Sequence, residues 1–346
     1  MANIAVLTSG GVDSAVALKL LKDQGHNVTA HYIKIWLEDE FSSLGNCPWQ
    51  DDLDVVRKVA DSVGCEVKVT SLQQEYWDRV VSNMLRDVKL GMTPNPDALC
   101  NRDVKFGAFM DAIGSQCDFI ASGHYADKHM GYLRMNPDPV KDQTLFLSRL
   151  RQEQLDRIVF PIGQLHKHQV RDLAVKMGLP NSARADSQGI CFLGKISYNQ
   201  FIQQNLGIRT GDVVNCDTGE IIGTHQGYWF HTIGQRRGLN LPGGPWFIQR
   251  KDCIGNTIFV KRGHPEPILH FRITDLVEYT DPEDELFVRI RHGGKLIRVV
   301  NRHEHNCAVD ITIVEGDPGI APGQTVAFYG MHKGAMICTG SGIVSP

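Results

Sequence analysis

Short apolar runs and amphipathic stretches alternate through the first 125 residues. Residues 4–7 form a continuous apolar run of the buried-strand kind, followed at once by a glycine-rich turn. Residues 15–24 place Val16, Ala17, Leu20 and Leu21 on one helical face, and Gly25 stands where a helix stops. Residues 28–33 read as a second strand. Residues 52–63 read as a helix carrying Leu53, Val56, Ala60 and Val63, ended by Gly64. A strand is expected at 67–70, a helix at 76–90 presenting Trp77, Val80, Val81, Met84 and Val88, another helix from about Asn101, and a strand at 119–122. Strands alternating with helices predict an α/β unit with a parallel sheet covered on both faces, which binds ligands beyond the carboxyl ends of its strands.

The pattern changes after residue 157. Residues 165–178 are helix-like, and 198–205 predict a further short helix. From about Gly211 onward glycine and proline become frequent. The apolar runs shorten to 213–214, 221–222, 247–248, 258–260, 286–290, 296–300, 309–314 and 325–328. Many short strands between turn signals predict small β modules or a barrel. A chain of 346 residues accommodates two or three domains. The expected division is an α/β domain at 1–157, a small central domain at 158–262 and a C-terminal β-barrel at 263–346.

Composition narrows the class. Lys and Arg number 36 against 39 Asp and Glu, a net charge of −3, which excludes a uniformly basic nucleic-acid coat. The charge is uneven: residues 1–148 carry −6, residues 149–237 carry +4 with His166, His168, His225 and His231 in addition, and residues 238–346 carry −1. The positive stretch is either a solvated surface or the footprint of a polyanion. No apolar run approaches the roughly 20 residues of a membrane span. A strand beginning at residue 4 leaves no room for a signal or transit peptide. A cytoplasmic protein without a membrane partner is therefore expected. The nine cysteines are odd in number and show no C-x-x-C spacing, so thiols are expected and no metal-ligand set is assigned.

Three segments carry chemistry. Ser9-Gly10-Gly11-Val12-Asp13-Ser14 fills the first strand-to-helix turn. Glycines there admit an anion to backbone N–H groups, and the following helix offers its positive end. Asp13 beside a phosphate implies either a magnesium ion or a role in fixing the loop. No Gly-Lys-Ser/Thr follows, so the loop is not of the Walker type. Cys100 ends Thr93-Pro94-Asn95-Pro96-Asp97-Ala98-Leu99-Cys100, a loop stiffened by two prolines, with a helix expected from Asn101. A thiol at a helix N-terminus is the more reactive for it. Asp97 is either a cap or a proton carrier. Cys191 lies in Asp186-Ser187-Gln188-Gly189-Ile190-Cys191-Phe192-Leu193-Gly194, within the positive stretch. Its apolar neighbours suit buried packing, while its polar, glycine-bearing approach suits chemistry.

The hexapeptide is similar to the signature of the PP-loop ATP pyrophosphatases, which split ATP between its α and β phosphates to adenylate a substrate oxygen. Residues 91–106 around Asn95-Pro96-Asp97 and Cys100, and residues 186–194 around Cys191, resemble the two cysteine motifs of the tRNA-specific 2-thiouridylase family. Ala121-Ser122-Gly123-His124-Tyr125, Lys141-Asp142-Gln143, Thr232-x-Gly234-Gln235-Arg236-x-Gly238 and Pro322-Gly323-Gln324 agree in the family's order. The resemblance spans residues 4 to about 344.

That resemblance implies ATP-dependent 2-thiolation of the wobble uridine of tRNA. Leu7, Thr8, Ser9, Gly10, Gly11, Val12, Asp13 and Ser14 would line ATP, with Ile33 and Gly123 at the adenine and ribose and Mg2+ alongside. Asn95, Pro96 and Asp97 would meet the target base. His124, Lys141, Asp142, Gln143, Arg291, His292 and Gln324 would meet tRNA, and the central domain would bind it too. Cys191 would carry a persulfide sulfur and Cys100 would resolve the transfer, leaving a disulfide. Residues 180–194 would return to the active site to bring the two together. A sulfur-relay protein or cysteine desulfurase and a reductant are the implied partners. An iron–sulfur cluster on Cys100, Cys191 and a third ligand is raised by relatives of this kind, but no cysteine spacing supports it. Cys47 reads as a structural thiol. The rival readings are a PP-loop amidating ligase and a non-catalytic tRNA-binding protein.

Overall fold

The computed structural model describes residues 1–35, 49–186, 197–263 and 265–346; Cys47 and Cys191 lie outside the described residues. The first sheet contains β1 (Asn3–Leu7), β2 (Asn27–Lys34), β3 (Val67–Ser71) and β4 (Phe119–Ala121). After a hairpin of β5 (Asp127–His129) and β6 (Tyr132–Arg134), β7 (Ile158–Val159) joins it. The order is β3-β2-β1-β4-β7 and every pairing is parallel. The chain fills the β2 side of β1 first and returns on its other side with β4. The crevice above the carboxyl ends of β1 and β4 is therefore the topological switch point, where open α/β sheets hold their ligands.

Helices cover both faces because both faces are apolar. On one face Ile4, Val6 and Val28 pack with Val16 and Leu18 of α1 (Val12–Asp23) and Val56 of α2 (Trp49–Val63). On the other, Ala5 and Ile120 pack with Met84 of α3 (residues 73–89) and Phe106 and Phe109 of α4 (residues 96–113). Both α3 and α4 contain wide turns, marked by bonds from Ser82 N–H to the Trp77 carbonyl and from Phe109 N–H to the Val104 carbonyl.

The expected boundary at 157 needs correction. Strand β7 is an integral edge of the parallel sheet, and α5 (Lys167–Lys176) packs its Val170 and Ala174 into the same core as α1. The first unit thus continues past residue 157 to Asp186, the last residue described there. A two-residue strand is too short for hydrophobic periodicity to reveal.

The central module places α6 (Tyr198–Leu206) ahead of β8 (Gly211–Asn215), β9 (Ile221–His225), β10 (Trp246–Asp252) and β11 (Thr257–Arg262), in the order β10-β11-β8-β9. Its own core is small, built on Val213, Ile248, Ile258 and Val260. The last six strands are β12 (Ile268–Glu278), β13 (Phe287–Arg289), β14 (Ile297–His305), β15 (Ala308–Asp317), β16 (Thr325–His332) and β17 (Ala335–Val344). Antiparallel pairing of β12 with β17 closes them into a barrel. Alternating Val309, Ile311 and Ile313 fill its interior with Val326 and Phe328. Among the described residues no helix is long and apolar enough to cross a membrane.

The barrel and the first unit share a core. Ala327, Tyr329 and Cys338 of the barrel lie in one apolar cluster with Val104, Leu145 and Leu147, and β6 extends the barrel sheet at β17. Within this core Asp142, with no exposure, is ion-paired to Arg289, which is 4% exposed. The Asp142 carboxylate also accepts from the Asn136 N–H at 2.9 Å and the Thr144 hydroxyl at 2.8 Å. Asp142→Ala would strand a buried guanidinium, so it should lower the free energy of unfolding by about 3–5 kcal/mol. Denaturant titration beside Arg272→Ala, which breaks an exposed pair with Asp310, checks this; the exposed variant should change far less.

Candidate active site

The glycine-rich turn sits at the switch point. The Thr8 N–H and hydroxyl both donate to the His31 carbonyl, at 2.8 and 3.2 Å, which anchors the turn to β2. Gly10 has a φ of +79°, a conformation that a side chain would strain. Its carbonyl accepts from Asn181 Nδ2 at 2.9 Å and Arg184 Nη1 at 3.2 Å, and Arg184 is in turn ion-paired to Asp52. Gly11 begins α1, and no side chain caps that end. The Ser14 hydroxyl bonds back to the Gly11 carbonyl at 3.1 Å. Gly123, just beyond β4, closes the crevice: a Cβ there would stand 2.7 Å from the Ser14 nitrogen. Leu7, Ile33 and Gly123 lie at or just past the carboxyl ends of β1, β2 and β4. The turn has the form of a phosphate cradle.

Asp13 fixes this loop. Lys167 Nζ donates to both of its carboxylate oxygens, at 2.7 and 2.9 Å, and the Tyr125 hydroxyl donates at 2.8 Å. Lys167 also reaches Asp186 at 2.8 Å, which pairs with Lys141 at 3.1 Å and with Arg171. Burial pushes the Asp186 carboxyl up, but hydrogen bonds from Lys167 and Lys141 outweigh it and hold the pKa at about 2. Burial and the Asp13 charge push the Tyr125 phenol well above its ordinary range. Of the two roles open to Asp13, this geometry supports the fixing one. Among the described residues no three His, Cys, Asp or Glu side chains are grouped to hold a metal, and Lys167 occupies both Asp13 oxygens.

The cysteine loop differs from its expectation in one respect. Asn95 is an N-cap whose Oδ1 accepts from the Ala98 N–H at 3.2 Å, and Pro96 occupies the first helical position. The helix therefore starts at Pro96 rather than Asn101. Cys100, 2% exposed, lies a full turn inside it. The helix-dipole argument for its reactivity does not hold at that depth, because the effect fades within the first turn.

Asp97 is half-buried near that helix start. Burial pushes its carboxyl above the ordinary value, against the opposing charges of Lys105 and His292. Lys105 also acts on His124, whose imidazole burial holds well below its usual pKa and therefore neutral. His124 Nδ1 is 2.8 Å from the Ser122 hydroxyl, and its ring is 6.0 Å from that of Phe106 on α4. His292 stacks on Phe146 at 4.8 Å, and the Phe146 carbonyl accepts from Asn101 Nδ2 at 3.1 Å. Lys105 thus acts on both Asp97 and His124, and His292, from the barrel, acts on Asp97.

The remaining expected RNA contacts are placed variously. The Asp142 side chain is a correction: fully buried on Arg289, it joins protein to protein and does not face a surface. Lys141 pairs with Asp186, and Gln143 Oε1 accepts from the Tyr125 N–H at 2.9 Å. Arg291 is half exposed and bonds Asp317 at 2.7 Å. Gln324 Oε1 accepts from the Ala321 N–H at 2.8 Å and shapes the turn whose Pro322 carbonyl takes the Thr93 N–H at 2.7 Å. Sequence reasoning missed Lys167, Asn181 and Arg184. Only the positive charge of residues 149–237 hinted at them. Cys191 and residues 187–194 of the returning segment lie outside the described residues.

Comparison with known proteins covers almost the whole chain. Residues 2–195 match a family described as tRNA methyl transferase HUP domain, residues 199–262 a tRNA methyl transferase PRC-barrel domain, and residues 270–344 an Aminomethyltransferase beta-barrel domain. The chain is 42% identical over 358 residues to a protein of Parabacteroides distasonis named tRNA-specific 2-thiouridylase MnmA, covering 99% of this chain and 98% of that one. It is 42% identical over 362 residues to a protein of the same name from Porphyromonas gingivalis, covering 99% of each. It is 41% identical over 357 residues to tRNA-specific 2-thiouridylase MnmA 1 of Bacteroides thetaiotaomicron, again covering 99% of each.

Two outcomes test this geometry. The folded pKa of Asp186 lies below the 3.8 of a free carboxyl. Its stabilisation is therefore complete above about pH 4 and lost as pH falls toward about 2. Unfolding midpoints of the wild type and Asp186→Asn should differ near neutrality and converge across that window; a constant gap would dismiss the carboxylate as the cause. Lys167→Ala removes a charge-assisted bond of about 1.5–3 kcal/mol. Equilibrium ATP binding should weaken roughly ten- to a hundredfold, with Lys167→Arg recovering part of the loss.

Proposed function

The chain belongs to the tRNA-specific 2-thiouridylase family, which makes it a PP-loop tRNA sulfurtransferase, and we propose that it acts on the wobble uridine through an adenylated C2 oxygen and a cysteine persulfide. The observation that carries this reading is the junction at Gly123-His124. Gly123 lies against the phosphate cradle at Ser14, and His124 stands beside Phe106 on the helix that bears Asp97 and Cys100. One dipeptide therefore brings the nucleotide site and the thiol-bearing helix to a common edge.

The chemistry requires that proximity. A urea-like carbonyl is a poor electrophile, and oxide is a very poor leaving group. In the proposed sequence the uridine C2 oxygen attacks the α-phosphorus of ATP, an O–P bond forms, and pyrophosphate leaves. The terminal sulfur of a persulfide on Cys191 attacks C2, and AMP departs with the oxygen. The Cys100 thiolate then attacks the Cys191 sulfur. The bond between carrier and transferred sulfur breaks, the base keeps its sulfur, and a Cys100–Cys191 disulfide remains. A thiol reductant supplies the two electrons that reset it, and a relay protein or cysteine desulfurase recharges Cys191. Magnesium enters with the nucleotide as its counter-ion, and the reaction belongs in the cytoplasm, where ATP, tRNA and reducing thiols meet.

Asn95, Pro96 and Asp97 are the proposed contacts to the splayed target base, with Asp97 the proton carrier; its raised pKa suits that task. His124, His292, Arg291 and Gln324 flank them as RNA contacts. The family descriptions speak of methyl transfer, but an activating phosphate cradle serves displacement of oxygen and has no part in moving a methyl group. The amidating ligase and the non-catalytic binder give way to the family's sulfur chemistry.

Cys100→Ser and Cys191→Ser should each abolish 2-thiouridine formation while the fold is kept. Nucleoside mass spectrometry of tRNA from cells expressing each variant checks this, with circular dichroism as the control for folding. Normal 2-thiouridine from either variant would refute the assigned roles.

A further inference from the structure

The helix that bears Asp97 and Cys100 does not wind evenly. From Cys100 to Ala108 its turns are wide, and a buried side chain from another helix reaches into them. Gln154, 1% exposed, donates from Nε2 to the Arg102 carbonyl at 2.7 Å and to the Phe106 carbonyl at 2.6 Å. Gly107 is required at the same place, because a Cβ there would stand 2.7 Å from the Arg102 oxygen. A buried amide and a glycine thus hold the widened turns in place.

Wide turns change which residues share a side. At about 100° per residue a regular helix would set residue 105 about 140° around the axis from residue 100. One more residue in each turn cuts that angle and brings Lys105 back toward the side of Cys100 and its i−3 neighbour Asp97. Lys105 is half-buried there. Its ammonium acts on Asp97, two turns back, and on His124 at the junction with the cradle. The His124 ring lies 6.0 Å from that of Phe106 and 6.4 Å from that of Phe160, and it stays neutral. Among the described residues, the titratable groups that face Asp97 are Lys105 from its own helix and His292 from the barrel. Burial holds His292 toward its neutral form. Lys105 is therefore the standing cation on this side of the junction.

A carboxyl must be ionised before it can accept a proton, yet burial favours its neutral form. Resting on the reading that uridine is thiolated here, we propose that Lys105 is a positioning residue whose ammonium keeps Asp97 a carboxylate, able to take the N3 proton of the uridine while the C2 oxygen attacks ATP. The O–P bond forms, the bond to pyrophosphate breaks, and the electron pair of the N3–H bond becomes the N3–C2 double bond. When Cys100 releases the sulfur to the base, the same carboxyl returns the proton to N3. Asp97 ends as it began, and Lys105 gains and loses no proton.

The test is single-turnover release of pyrophosphate by the full chain with ATP and tRNA, from about pH 5 to about pH 9. Circular dichroism and the affinities for ATP and tRNA are measured alongside. Lys105→Met and Lys105→Gln remove the charge and should move the acidic limb of the profile to higher pH, because the carboxylate then forms only there. The loss should be about tenfold at the acid end and should fade as pH rises. Lys105→Arg should hold the limb near its wild-type position. Asp97→Asn should lose the reaction at every pH, and His124→Asn should slow it without moving the limb. An equal loss at every pH in the two uncharged variants would overturn the assignment, as would an unmoved limb or an arginine variant no better than methionine. So would a limb that survives in Asp97→Asn or disappears in His124→Asn. Loss of the fold in both uncharged variants would overturn it too, since a charge acting only on Asp97 is dispensable to folding. A wild-type chain that releases no pyrophosphate with tRNA carrying a wobble uridine would instead bring down the function on which the proposal rests.

Discussion

Asp142 and Arg289 lie 147 residues apart and meet in a core that excludes water. A pair so placed tolerates little displacement, since parting it would leave either charge desolvated and alone. It therefore fixes the register between the barrel and the first unit. Its neighbours in sequence carry that register further. Lys141 takes Asp186, and Gln143 exchanges two hydrogen bonds with the backbone of Tyr125, whose hydroxyl holds Asp13. Three consecutive residues thus connect a barrel arginine to the loop proposed to hold ATP. A tripeptide that resembles an RNA-contact motif is, in this structure, first of all a joint.

The cysteine loop is held from two directions by the same logic. The Pro322 carbonyl of the barrel accepts the Thr93 N–H, and the Tyr228 hydroxyl of the central module donates to the Lys89 carbonyl at the end of α3. Residues 89–93 are thereby pinned to both of the units that flank the catalytic domain. Those two anchors set the loop's position before any substrate arrives, so little ordering of the loop remains to oppose a reaction there.

What the sequence revealed follows from the range of the interactions involved. Gly10 and Ser14 act within one turn, so the phosphate cradle could be read from six consecutive letters. The strands of the barrel were legible because alternation is local. Asn95-Pro96 was equally local, a cap followed by proline at the first helical position, yet two prolines so close together read more readily as a loop, and the helix start was placed five residues late. Lys167 was beyond reach: its partner Asp13 is 154 residues away, and a lysine flanked by two histidines in an amphipathic stretch carries no motif. The boundary at 157 failed for a related reason. The two residues of β7 take their meaning from pairing with β4, and only the fold supplies that neighbour.

Two electrostatic regimes adjoin across Gly123-His124. On the cradle side charges are dense and mutually satisfied: Asp13, Lys167, Asp186, Lys141 and Arg171 form one network, and Asp186 stays ionised down to about pH 2. On the other side burial works against charge. His124 and His292 are held toward the neutral form, and Asp97 is pushed toward its protonated one. A triphosphate calls for the first environment, with cations and hydrogen-bond donors fixed in advance so that little rearrangement accompanies the change in charge. A neutral pyrimidine suits the second, where burial disfavours charge on the groups around it. On the proposed reading, the dipeptide that joins the two regions lets a nucleotide at the cradle activate an oxygen of an uncharged ring on the other side.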